Sequence, residues 1–205
     1  MKKPRLLVLG VLATLALSSV AQAQSSNQSQ SSTVPVFTIT PVQSRVTFYV
    51  KSSVKLEGTF EKWDATLVFT STDASTGVLD IKIQADSVHS GSKSEDEMLK
   101  GEHCFDVAKD PYITFHSTKI TQTGPSTFEV GGIFTLRGIS KPAGLTFTVD
   151  RGAGGATGEI KGVLTIDRND FGLGGGIHFV TIADRVDLTI DFKATRVGPP
   201  LVIKQ

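Results

Sequence analysis

Apolar residues recur at every second position in segment after segment of this chain, and no other sequence feature restricts its fold so tightly. "RVTFYVK" places Val46, Phe48 and Val50 on one face, and "WDATLVF" does the same with Trp63, Ala65, Leu67 and Phe69. "VLDIKIQA" alternates through Leu79, Ile81, Ile83 and Ala85, and "YITFHST" through Ile113 and Phe115. The pattern continues in "TFEVGGIFTL" (Phe128, Val130, Phe134, Leu136), "LTFTV" (Leu145, Phe147, Val149), "IKGVLTI" (Leu164, Ile166) and "RVDLTIDF" (Val186, Leu188, Ile190, Phe192). The intervening positions are polar, among them Lys82, Gln84, Thr146, Thr148, Asp187 and Asp191, so one face of each strand is buried and the other wet. Turn-forming clusters, "STDAST", "TQTGPST" and "RGAGGATG", separate the runs. About eight or nine such strands imply an all-β antiparallel fold, a sandwich or a barrel. An eight-stranded β-barrel is the expectation, with an interior that side chains fill or that holds one small ligand.

One segment breaks the alternation. "SKSEDEMLKGEHCFDV" offers Ser94 as N-cap with Glu97 three residues on, and Gly101 as a stop, predicting a short helix over about 95–100 between two strands. In "GGIFTLRGISKPAGLTF" the stretch "RGISKP" reads as a turn at the barrel rim with Arg137 and Lys141 turned to water, Phe134 and Leu136 leading in, and Leu145 and Phe147 returning. "GIFTLRG" at 132–138 echoes "GVLTIDR" at 162–168, and Gly132 and Gly162 mark a bulge or a close approach in each.

The first 23 residues carry Lys2, Lys3 and Arg5 ahead of an apolar run from Leu6 to Leu17, then Ala21-Gln22-Ala23, the arrangement of a cleavable secretory signal peptide. That run is too short to span a bilayer, and no later segment reads as a membrane span. A periplasmic protein is therefore expected, with a flexible polar leader over 24–35 ("QSSNQSQSST" and following), one domain over 36–197 and a tail over 198–205. Formal charge is +1, and without the three positives of the signal it falls to about −2, which argues against a nucleic-acid surface.

Chemistry-bearing residues are sparse. His89, His103, His116 and His178 lack metal-ligand spacing, and no metal or cofactor is expected. Cys104, the only cysteine, follows His103, but Phe105 beside it favours a buried, inert thiol over a nucleophile. The acidic "SEDE" run suits a helix start. "FGLGGG" at 171–176 lacks the Lys-Ser/Thr of a phosphate loop and reads as a loop or bulged hairpin. Arg137, Lys141 and Arg168 beside strand ends are either solvated charges or contacts for an anionic headgroup.

Six motifs in order, "SRVTFYV", "LEGTFEKWDATLVF", "LKGEHCFDVAKDPYITFHSTKI", "VGGIFTLRGISKP", "IDRNDFGL" and "IADRVDLTIDF", make residues 36–196 resemble the YceI-like family of secreted bacterial proteins. The resemblance implies a lipocalin-like barrel whose elongated apolar cavity holds a polyisoprenoid or a similar long-chain lipid. The residues it would place around that ligand are Phe48, Val50, Leu67, Phe69, Ile81, Ile83, Phe115, Phe134, Leu136, Leu145, Phe147, Leu164, Val186, Leu188 and Ile190. It implies binding for transport or storage, with no catalytic residue; an enzyme acting on a prenyl lipid or a stress-related small molecule is the alternative. The sequence leaves monomer and homodimer both open. Where the family carries His-Ser before the first strand this chain has Gln43-Ser44, so the resemblance speaks for a lipid tail more than for a headgroup.

Overall fold

The computed structural model describes residues 34–35, 37–39, 43–53, 56–151, 157–173 and 182–197. Strands β1 (Val34–Pro35), β2 (Phe37–Ile39), β3 (Arg45–Ser52), β4 (Leu56–Phe60), β5 (Trp63–Phe69), β6 (Gly77–Gln84) and β7 (Val88–His89) precede helix α1 (Lys93–Lys100). After it come β8 (Tyr112–Gln122), β9 (Thr127–Leu136), β10 (Ile139–Arg151), β11 (Thr157–Asp167) and β12 (Ile182–Arg196). All pairings are antiparallel, in the order β1-β5-β6-β8-β9-β10-β11-β12-β3-β4-β7, with β2 on β12. The barrel expectation of eight strands becomes a twelve-stranded half-barrel, because three short pairings, β1, β2 and β7, add to the nine longer strands. Two- and three-residue strands are too short to show a period. Pairing begins at Val34, two residues ahead of the domain start expected from composition.

The sheet curls strongly. Trp63 on β5 stacks on Phe192 of β12 with ring centroids 4.8 Å apart, although six pairing steps separate the two strands along the sheet. Inward faces carry the alternating apolar residues, and every candidate ligand-lining residue is buried. Aromatic pairs knit this interior: Phe128 on Phe147 at 5.1 Å, Phe48 on Phe60 at 5.7 Å. Three buried serines turn their hydroxyls to backbone groups, accepting from Lys193 N–H (Ser44), Lys62 N–H (Ser87) and Leu79 N–H (Ser117), so each buried hydroxyl has a backbone partner.

Two local expectations change. Helix α1 starts at Lys93, with Ser92 rather than Ser94 as N-cap, its hydroxyl accepting from Glu95 N–H. Ser92-Lys93-Ser94-Glu95 is itself a Ser-x-x-Glu box, and Asp96, which accepts from both Ser90 N–H and Ser90 Oγ at 2.7 Å, ties the earlier start in place. The β9–β10 turn is only Arg137-Gly138, at φ 53° and 69°, so Ser140, Lys141 and Pro142 already belong to β10. Positive φ at both central residues matches the twist of a two-residue hairpin. At Gly132 a bulge in β8 between Ser117 and Lys119 brings the chain so close that a Cβ would lie 2.4 Å from the His116 carbonyl oxygen. Gly162 sits under side chains instead, and both glycines are therefore close approaches, as the echoed motifs suggested. The signal segment, residues 24–33 of the leader, His178, the later part of "FGLGGG" and the tail lie outside the described residues.

Candidate functional site: an apolar barrel interior

Strand alternation carries one side chain in two from each of the curled strands toward a common axis. Near that axis the described residues enclose a narrow cavity of about 20 Å³. Its walls are Val46, Ile81, Ile83, Thr114, Phe115, Phe134, Leu145, Leu164, Leu188 and Ile190. Eight of the fifteen candidate residues therefore meet at one place: Ile81, Ile83, Phe115, Phe134, Leu145, Leu164, Leu188 and Ile190. The other seven, Phe48, Val50, Leu67, Phe69, Leu136, Phe147 and Val186, are buried in the same core away from this space. Val46 lines it too and was legible as a strand-face residue, whereas Thr114 occupies a polar alternate and carries no sequence signal. The volume is about that of one water molecule. Among the described residues this space is far smaller than the elongated cavity implied by the resemblance.

Two loops plug one end of it. Phe105, after α1, packs at a tilt against Phe60 at 5.8 Å and edge-on against Phe48 at 6.3 Å, while Phe171, after β11, meets Phe134 edge-on at 5.4 Å. Arg137 was expected to face water; it instead joins the two plugs, donating from Nη1 to the Gly172 carbonyl at 2.6 Å and from Nη2 to the Glu102 carbonyl at 2.9 Å. The left-handed backbone at the turn tip aims its side chain across the loops, whose carbonyls lack ladder partners. Arg168 is likewise engaged, donating to the carbonyls of Ala183 (3.1 Å) and Leu173 (2.6 Å) and to Asp184 Oδ1 at 3.1 Å. Both guanidiniums are committed to backbone carbonyls. Lys141 stays exposed, 3.8 Å from Asp170.

The remaining titratable groups lie outside this interior. His89 pairs with Asp96 at 3.3 Å, His116 with Asp80 at 2.6 Å and His103 with Glu102 at 3.5 Å, all three imidazoles largely exposed. Ser90 hydrogen bonds, chiefly, hold the Asp96 carboxyl below its usual range. Burial pushes the half-buried Cys104 thiol up, against the opposing pull of Arg137 and Arg168, which keeps it a thiol at neutral pH. No group of three His, Cys, Asp or Glu that could hold a metal occurs among the described residues, and no described helix is long and apolar enough to cross a membrane.

Known proteins share this fold. BcnA of Burkholderia cenocepacia superposes with a TM-score of 0.70 at 29% identity, over 77% of this chain and all of that one. A polyisoprenoid binding domain from Saccharophagus degradans has the same fold, at a TM-score of 0.60 and 12% identity, over 80% of this chain and 99% of the other. Among sequences, a UPF0312 protein of Pseudomonas savastanoi pv. phaseolicola is 28% identical over 145 residues, 69% of this chain and 74% of that protein. The YceI-like domain matches residues 37–194, from the start of β2 to near the end of β12, and the chain belongs to that family.

Proposed function

We propose that this protein holds the hydrocarbon tail of an isoprenoid or similar long-chain amphiphile inside the barrel, as a binding protein for transport or storage and not as an enzyme. The observation that carries this reading is the chemistry of the cavity wall: nine of its ten residues are apolar, and the tenth is a threonine. Such a wall recognises hydrocarbon and offers no acid, base or nucleophile. The Saccharophagus degradans domain of the same fold, a polyisoprenoid binding domain, points to the same ligand class. Magnitudes agree as well. Burying two or three isoprene units gains roughly 8–12 kcal/mol gross at about 0.8 kcal/mol per CH₂-sized group. Repacking the displaced side chains, ordering the tail and losing its translational freedom take back a large share, leaving room for micromolar binding without a polar contact. The engaged arginines favour a headgroup left at the rim over one gripped by Arg137 or Arg168.

The signal-like N-terminus supports a periplasmic setting for this activity, one in which a lipid tail in transit between membranes needs shielding from water. The test is a charge in the wall. Ile83→Asp puts a carboxylate in the cavity wall and Phe147→Asp puts one elsewhere in the same buried interior, and each should abolish geranylgeraniol binding, followed through the fluorescence of Trp63, which pairs with Ile83 across β5 and β6. Unchanged affinity in a variant whose circular dichroism matches the parent would remove the interior from consideration.

A further inference from the structure

One inward row crosses six strands and reads Phe128, Phe147, Gly162, Ile190, Val46 and Phe60. Gly162 is the only member without a side chain. Backbone conformation does not require a glycine there, because the positive-φ glycines among the described residues are Gly91, Gly138 and Gly172. What Gly162 leaves is a notch, and two side chains lean into it. A Cβ on Gly162 would lie 2.8 Å from Ile190 Cγ1, 2.9 Å from Ile190 Cδ1 and 3.1 Å from Leu145 Cδ1. All three atoms belong to side chains, and both residues line the cavity. Gly132 differs: its Cβ would strike a backbone carbonyl, so that glycine serves the fold.

We propose that Gly162 sets the bore of the barrel interior, so that a methyl-branched hydrocarbon chain is admitted where any side chain at 162 would leave room only for an unbranched one. The inference rests on the binding function proposed above and adds to it the residue that selects the chain. Ile190 and Leu145 can lie against the wall because the notch receives them; a methyl at 162 would drive both toward the axis. Interiors packed to crystal-like density register even one methylene. An isoprenoid, with a methyl on every fourth main-chain carbon, is wider than a linear alkyl chain and loses its place first.

Calorimetric titration of the mature protein with geranylgeraniol and with hexadecan-1-ol, its unbranched counterpart of equal main-chain length, tests this. In Gly162→Ala, geranylgeraniol binding should weaken about tenfold or more while hexadecan-1-ol binding holds, the size expected for one methylene in an apolar pocket. Equal loss of both alcohols, or loss of neither, would overturn the proposal. If the parent binds neither alcohol, the binding function itself fails and the bore assignment falls with it. Should Gly162→Ala not fold, Ile190→Ala reads the same claim in reverse, since it deletes both Ile190 atoms that lean on the notch. It should shift preference toward geranylgeraniol, and an unchanged ratio of the two affinities would overturn the assignment.

Discussion

At the scale of single residues, Arg137 shows how a local cost is kept for a non-local gain. A non-glycine residue at positive φ is strained by roughly 1 kcal/mol, and Asn would suit this turn position better. The arginine is explained by its two carbonyl contacts, to Gly172 and Glu102, each 35 residues away in sequence. Arg137→Asn keeps the turn and deletes the clasp. It should lower stability by about 1–2 kcal/mol, read from the urea midpoint, with the Cys104 thiol more quickly alkylated as the Phe105 loop loosens. Equal or greater stability would mean that the clasp contributes nothing. Glu159 offers a second test. Its hydrogen bond to Lys193, aided by Lys161, holds the carboxyl at about 2, down from an ordinary value of 4.5. A depressed carboxylate pKa stabilises the fold above the unfolded value and loses that contribution as pH falls from about 4.5 toward 2. The stability difference between the parent and Glu159→Gln should therefore shrink between pH 6 and pH 2, measured by urea midpoints across roughly that range.

At the scale of elements, legibility followed period and length. Strands β3, β5, β6 and β8 to β12 were readable because each repeats the two-residue period often enough to separate inside from outside, and the buried positions fall on the expected face in every one. Strands β1, β2 and β7 were not, being too short for any period and present only because longer neighbours leave edges to pair with. The helix was legible but its start was not, since two overlapping Ser-x-x-Glu boxes compete and the tie is decided by Ser90 and Asp96, which no capping rule couples. The two-residue turn was hidden by Arg137, a residue type that rarely signals positive φ. Ser92→Ala should consequently cost about 1 kcal/mol of global stability, because Leu99 on α1 is buried in the shared core, whereas Ser94→Ala should cost less. Thermal melts of the two variants decide between the caps.

At the scale of the whole molecule, the sequence points to a container through its strand faces, but the fill of that container is a property of packing and cannot be read from a pattern. Which side chains meet at the axis depends on how far the sheet curls, and the curl is visible only in contacts such as Trp63 on Phe192. Gly162 illustrates the limit: as a letter in "GVLTI" it marks a close approach, yet only its position between Phe147 and Ile190 shows what approaches. The central claim is that this interior carries a lipid tail. Native mass spectrometry of the protein, expressed with its N-terminal segment and purified without detergent, measures that most directly. The account predicts a species beginning at or near Gln24 with one prenyl-type lipid bound, released on activation and recovered in an organic extract; a folded protein that carries no lipid and takes up none when incubated with geranylgeraniol would contradict it.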